Sequence, residues 1–215
     1  MPTRRSSRAG TAEAESRPAR EAILAAARQE FSAKGAAGAR VNEIAERAGV
    51  NKQLIYYYFG SKEGLYAAAL EAVYGEIRAL EQGLRLDEEE PEDAMRTLVA
   101  FSFDYLASHP EFIGMLRHEN ASGAQHMDAE TMQGVNSPLI SMIRKTLRRG
   151  VAAGVFRPGI DPLNLYISVA GMSYFFFSNR STLSNIFGRD LASTTSVARY
   201  RRHVVDFALA GLKQP

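Results

Sequence analysis

The 215-residue chain contains no cysteine and no tryptophan. Without thiols it has no disulfides, no thiolate metal site and no cysteine nucleophile. Long apolar runs are also missing. A bilayer span takes about 18 consecutive apolar residues, and the best candidate, Tyr166 to Phe177, is interrupted by Ser168, Gly171 and Ser173. The opening stretch M-P-T-R-R-S-S-R-A-G lacks the apolar centre of a secretory signal. These absences predict a cytoplasmic protein with no membrane contact. No stretch shows sustained period-two alternation and no internal repeat recurs, so the chain is predicted to be all-α. The nucleophile elbow, the phosphate-binding loop, the dinucleotide glycine fingerprint and H-E-x-x-H are all absent. No catalytic residue, metal or cofactor is expected.

What is present is an ordinary soluble composition, 46% hydrophobic and 23% charged, with a net charge of only +2. The distribution of charge says more than its sum. Residues 1–62 hold eleven Lys/Arg against six Asp/Glu, whereas residues 63–215 hold fifteen against eighteen. A basic first third on an acidic remainder suits a polyanion-binding module joined to a module with another task. Residues 1–16 read as a disordered basic tail, residues 17–64 as the binding module and residues 65–215 as a larger helical domain. Arg4, Arg5 and Arg8 can form an arm along DNA or simply be solvated.

Nine helices are predicted. The first runs from Pro18 to Lys34, since proline suits a first turn and Gly35 a stop. The second spans Val41 to Ala48 and ends at Gly49. Asn51 caps a third, Lys52 to Phe59. Ser61 caps a long fourth, which carries Leu65, Val73, Ile77, Leu80 and Leu84. The acidic break Asp87 to Asp93 precedes a fifth helix starting at Pro91, where negative charge complements the helix dipole. His109-Pro110 ends that helix and a short sixth follows. Glu119 to Asn136 reads as irregular or weakly helical, with the seventh helix starting at Ser137-Pro138. Asp161-Pro162 opens the eighth, and a ninth carries Val197, Tyr200, Val204, Val205, Ala208 and Leu212.

The second and third helices, joined by Gly49, make a helix-turn-helix. Ile44, Ala45, Val50, Leu54, Ile55 and Phe59 with Phe31 give it a small core. Lys52, Gln53 and Tyr57 are left exposed near the start of the third helix. Lysine can donate to guanine O6 and N7, and glutamine can pair with adenine N6 and N7. Tyrosine hydroxyls can bond phosphate. Three adjacent tyrosines on a helix cannot all face one way, so at least one of Tyr56, Tyr57 and Tyr58 must be exposed. Lys62 can neutralise a phosphate.

In order, the chain carries F-S-A-K-G, I-A-E-R-A-G-V, L-I-Y-Y-Y-F and G-S-K-E-G-L. This stretch, about Ala19 to Leu70, resembles the DNA-binding domain of TetR-family transcriptional repressors. The resemblance implies a homodimer that binds a palindromic duplex operator and is released by a small-molecule effector. It places phosphate contacts on Tyr56, Tyr58 and Lys62, and base reading on Lys52, Gln53 and Tyr57, with Asn51 at the cap. Where relatives carry threonines before the second helix, this chain has Ala39-Arg40-Val41. Arg40 can reach phosphate by charge, but the hydroxyl cap is lost. The remainder is similar to the family's ligand-binding and dimerisation domain. The H-P-E-F break, G-V-F-R-P-G-I-D-P and the aromatic segment that follows look like the regulators of pyrimidine and nicotinic-acid catabolism.

The eighth helix, with Tyr166, Ile167, Val169, Met172, Tyr174, Phe175, Phe176 and Phe177, is apolar all round and must be covered on every side. A dimer interface with the ninth helix, a ligand cavity and plain core packing all compete for it. The expected cavity lies between the fifth to eighth helices. Its walls are Phe101, Tyr105, Phe112, Met115, Met172 and Phe176, with His118, Glu119 and Asn120 as polar anchors. His118 and His126 are not at a diagnostic metal spacing. Arg144, Lys145, Arg148 and Arg149 read as a solvated face. A helical enzyme and a helical adaptor are the rival classes. The first lacks a signature, and the second has no need of a basic first third.

Overall fold

A computed structural model describes the backbone of residues 7–213 and the side chains of residues 17–213. The described residues form nine α-helices and no strand: α1 (Ser7–Gly38), α2 (Val41–Ala48), α3 (Lys52–Phe59), α4 (Lys62–Gln82), α5 (Pro91–Ser108), α6 (Pro110–Ala121), α7 (Ala129–Ala152), α8 (Pro162–Phe187) and α9 (Thr194–Leu212). They fall into two compact units. The first is Met1–Val73 with Gly114–Asp128, and the second is Tyr74–Ile113 with Ala129–Pro215. The expected boundary near residue 64 is therefore not where the contacts divide, because the start of α4 and most of α6 pack with the reading helices.

Two helix starts differ from expectation. Helix α1 already runs through Ser7–Gly38 with Pro18 inside it. A proline forfeits one backbone donor, and the alanine- and glutamate-rich T-A-E-A-E-S run before it has good helix propensity. The expected arm at Arg4 and Arg5 lies outside the described residues, as does the side chain of Arg8. Helix α7 begins at Ala129, with Pro138 interior. The segment taken as irregular thus divides into the end of α6, a short turn and the first turns of α7.

In the first unit, Ile23, Ala27, Phe31, Ile44, Ala45, Ile55, Leu65, Tyr66, Ala69 and Leu70 are buried. Val50, Leu54 and Phe59 are only half-buried, so the core draws more on α1 and α4 than expected. The Phe31 and Tyr66 rings meet edge to face at 4.8 Å. Gly49 adopts φ 67°, and its N–H reaches the carbonyls of Ala45 and Glu46 to close α2; a side chain there would be strained. Gly35, at φ 68° and ψ 176°, breaks α1 near its end.

The second unit is built around α5, which packs against α7, α8 and α9. Leu98, Val99, Phe103, Ile143, Leu147, Phe156, Phe176, Val204 and Leu209 are buried there. Helix α8 opens on Asp161, whose carboxylate accepts from the Asn164 N–H. The basic pairs of α7 divide in two. Lys145 Nζ lies 3.3 Å from the Asp87 carboxylate, and Arg149 donates to the carbonyls of Leu86 and Glu89, so these two hold the acidic loop. Arg144 and Arg148 are exposed.

Candidate nucleic-acid interface and effector site

Asn51 sits in extended conformation before α3 and its side chain accepts from the Gln53 N–H at 2.9 Å. It caps the helix and so sets the direction in which the next residues project. Ile55 is fully buried beneath α3 and fixes its rotation. Lys52 and Gln53 are consequently exposed, as are Tyr56 at 45% and Tyr57 at 80%. Tyr58 is half-buried, with its ring 5.2 Å from that of Tyr57 and 6.2 Å from that of Phe59. The outer face of α3 is thus a lysine, a glutamine and two tyrosines on a helix with a buried inner face, as groove insertion requires.

Two flanking cations behave differently from each other. Arg40 is exposed and makes no side-chain cap for α2, matching the loss of the usual hydroxyl. Its backbone N–H instead donates to Glu30 Oε1 at 3.4 Å. Glu30 is buried, which pushes its carboxyl up. The Lys34 hydrogen bond at 2.7 Å, the Arg40 N–H and the charges of Lys34 and Arg47 outweigh that and hold it below the ordinary carboxylate value. Arg47 also donates to Gln29 at 2.7 Å, tying α2 to α1. Lys62 is half-buried, and its ammonium donates to the carbonyls of Ala37 and Ala39 at 3.3 and 3.4 Å. Sequence reasoning missed this tie between α4 and the end of α1.

The expected effector residues are divided between the two compact units. Met115, His118, Glu119 and Asn120 belong to the first unit, and Phe101, Tyr105, Phe112, Met172 and Phe176 to the second. Glu119 is buried at 1% exposure and spends its carboxylate on His126, accepting from the backbone N–H at 2.8 Å and meeting Nδ1 at 3.0 Å. Burial, the Glu119 charge and its hydrogen bond raise the Tyr66 hydroxyl well above its ordinary value. The His118 ring packs where a side chain on Gly35 would fall, 2.9 Å away. Met115 is core, and Asn120 is exposed. In the second unit, the Tyr105 ring lies 6.1 Å from Phe101 and 5.8 Å from Phe112, and stacks on His109 at 4.0 Å. Phe176 stacks on Tyr200 at 4.3 Å, and Met172 lines a cleft of about 390 Å³ with Val169 and Phe207. Among the described residues no cluster of three or more His, Asp or Glu could hold a metal ion.

Residues 23–69, which carry this reading head, match the family described as bacterial regulatory proteins, tetR family. Residues 91–208 match the tetracyclin repressor-like C-terminal domain. The chain belongs to the TetR family. It is 38% identical over 196 residues to the transcriptional repressor NicS of Pseudomonas putida, covering 91% of this chain and 92% of that one. To the transcriptional regulator RutR of Escherichia coli K12 it is 31% identical, covering 70% and 69%. The fold is shared with the fatty acid degradation regulator FadR from Bacillus halodurans, at a TM-score of 0.69 and 20% identity over 90% of this chain and 99% of that one. The chain is a DNA-binding transcriptional regulator of the TetR family, and the enzyme alternative falls. No helix among the described residues is long and apolar enough to cross a membrane.

Proposed function

We propose that the chain is a cytoplasmic repressor that binds a palindromic duplex operator as a homodimer and leaves it when a small organic effector binds. The observation that carries this reading is the outer face of α3, where Lys52, Gln53, Tyr56 and Tyr57 are exposed around an Asn51 cap with Ile55 buried behind them. Lys52, Gln53 and Tyr57 read bases. Tyr56, Tyr58, Arg40 and Lys62 contact or neutralise phosphate. Dimerisation uses α8 and α9, because Leu163, Ile167 and Phe175 form an exposed apolar stripe on α8 and Phe207 is exposed on α9. A two-fold axis then presents two heads to two half-sites.

The effector is an aromatic or heterocyclic catabolite held against the aromatic side chains Phe101, Tyr105, Phe112, Met172 and Phe176. Helices α4 and α6 carry the signal, since each contributes residues to both compact units. On α6, Met115, His118, Glu119 and Asn120 stand on the reading side of that relay. A coupling of about 1–3 kcal/mol suffices to lower operator affinity about 5- to 150-fold. Gel-shift titration of Lys52→Ala and Gln53→Ala on operator and scrambled duplexes tests the reading face. Each substitution should cost about 1–3 kcal/mol on the operator and relax sequence preference. Unchanged affinity and preference in both variants would remove α3 as the reader.

A further inference from the structure

On α1, residue 30 falls at helical spacing from Ile23 and Ala27, both wholly buried, yet it is a glutamate and is only 3% exposed. A buried carboxylate is costly unless paired, and an apolar side chain of similar size is often at least as stabilising. What Glu30 holds is α2. Its Oε1 accepts the backbone N–H of Arg40, the residue that opens α2, at 3.4 Å. Its Oε2 lies 4.0 Å from Nη2 of Arg47, in the last turn of the same helix, while Arg47 Nη1 donates to Gln29 at 2.7 Å. Lys34 Nζ, 2.7 Å from Oε1, comes from α1 itself. Despite burial, these partners keep the carboxyl below its ordinary value, so it is charged at neutral pH. One carboxylate thus meets both ends of α2. That helix has little else to set its tilt. It is eight residues long, too short to be stable alone. Its buried residues are Ile44 and Ala45, adjacent and near its middle, and Arg40 supplies no side-chain cap. In a capping box the opening N–H is met from within the same helix; here it is met from α1.

We infer that Glu30 is a specificity-determining residue, which positions α3 for base reading by fixing α2 at both ends and touches no DNA itself. This rests on the reading of α3 as the helix that contacts bases. Base recognition and attraction to the backbone respond differently to a tilt. Hydrogen bonds to base edges need their donors held to about 0.5 Å. Attraction to phosphate is electrostatic and indifferent to sequence. If α2 tilts, α3 goes with it, because the Val50 N–H donates to the Ala45 carbonyl at 3.0 Å and the Asn51 cap follows directly. Lys52 and Gln53 then miss their base edges, while the charges of the reading head stay at its surface. The effect of charge runs opposite to that of positioning. Glu30 is a negative charge in a basic module, so its removal strengthens attraction to any duplex. A loss of operator affinity on removing that charge has no electrostatic explanation. Lys34 and Arg47 are 46% and 49% exposed, so their pairing with Glu30 adds little stability by itself.

Gel-shift titrations of Glu30→Met and Glu30→Gln at fixed salt test the assignment. The probes are a duplex that the natural protein selects from a random-sequence pool and the scrambled form of that duplex. Glu30→Met should bind the selected duplex at least tenfold more weakly, and the scrambled duplex as tightly as the natural protein or more so. Glu30→Gln should lie between, because an amide oxygen still accepts the Arg40 N–H but no longer attracts the two cations. Thermal melts accompany the titrations, and if Glu30→Met is unfolded at the assay temperature the isosteric Glu30→Gln decides alone. A purely structural glutamate would weaken both duplexes together as the folded fraction falls. That result, or folded variants that keep the full preference, overturns the assignment. Lys52→Ala runs alongside. Preference lost in Lys52→Ala and kept in the folded Glu30 variants overturns the role of Glu30 and leaves α3 the reader. Preference kept in Lys52→Ala and lost in the Glu30 variants supports the role of Glu30 and overturns base reading by Lys52 alone.

Discussion

Lys62 shows how one side chain can serve fold and function together. An ammonium has three donors, and in this chain the group already bonds the carbonyls of Ala37 and Ala39. Those carbonyls lie at and just beyond the end of α1, so Lys62 ties the start of α4 to it. For Lys62→Met, the expected outcome is a lower melting temperature together with weaker binding to every duplex sequence. The slope of log affinity against log salt should fall by roughly one if the charge also neutralises a phosphate. A lower melting temperature with the salt slope unchanged would leave Lys62 a structural residue only. Asn51 was legible from the sequence because its cap is a local matter of two residues. The carbonyl partners of Lys62 were not, because they lie twenty-three and twenty-five positions away.

Helix α4 carries a buried ion pair whose pH behaviour can be worked out. Glu81 is 2% exposed, and its carboxyl is raised from an ordinary 4.5 to about 7, with burial the larger cause and the Arg78 charge opposing it. Since the folded value is the higher one, the folded state binds the extra proton. The associated stability is fully present below about 4.5 and is lost as pH rises through 7. Glu81→Gln keeps the shape and cannot ionise. Its melting curve should match the natural protein near pH 5 and run a few degrees higher above pH 7.5, since about 1 kcal/mol moves the midpoint about 2–4 °C at this size. Parallel melting temperatures from pH 5 to 8.5 would contradict the assignment. The lowered carboxyl of Glu30 acts in the opposite sense and below this window: its contribution is present above the ordinary value and is lost as acid approaches its lower folded value. At this scale the sequence located most helix starts through Asn51, Ser61, Pro91 and Asp161-Pro162. It misplaced those of α1 and α7, where Pro18 and Pro138 were read as first turns and are interior. A proline costs about one hydrogen bond there, and good helix formers upstream outweigh it.

For the whole molecule, the exposed face of α8 is the feature that a single chain leaves unexplained. Leu163, Ile167 and Phe175 are 50 to 57% exposed and Phe207 on α9 is 62% exposed. Exposed large apolar side chains gathered on one pair of helices are a candidate interaction surface. Replacing Ile167 and Phe175 together by glutamate should convert a dimer into monomers in sedimentation velocity at micromolar concentration. Operator affinity should fall at least tenfold, because one head would then bind one half-site. The same sedimentation profile for variant and natural protein would move the interface off this stripe.

The sequence by itself determined the all-α class, the helix-turn-helix, the exposed Lys52-Gln53 start of α3 and the TetR family. Each of these depends on neighbours within a few residues: a cap, a glycine turn, or a 3.6-residue apolar period that buries Ile55 and leaves Lys52 outside. The tertiary structure alone decided which helices share a core. It grouped Met115, His118 and Glu119 with the reading helices in one compact unit, and the aromatic residues of α5 and α8 in the other. It also turned Glu119 inward onto His126 and left Arg78 and Ser173 buried without full partners. Those outcomes depend on contacts between segments distant in sequence, where packing between helices, rather than periodicity along one of them, sets which polar atoms find a partner.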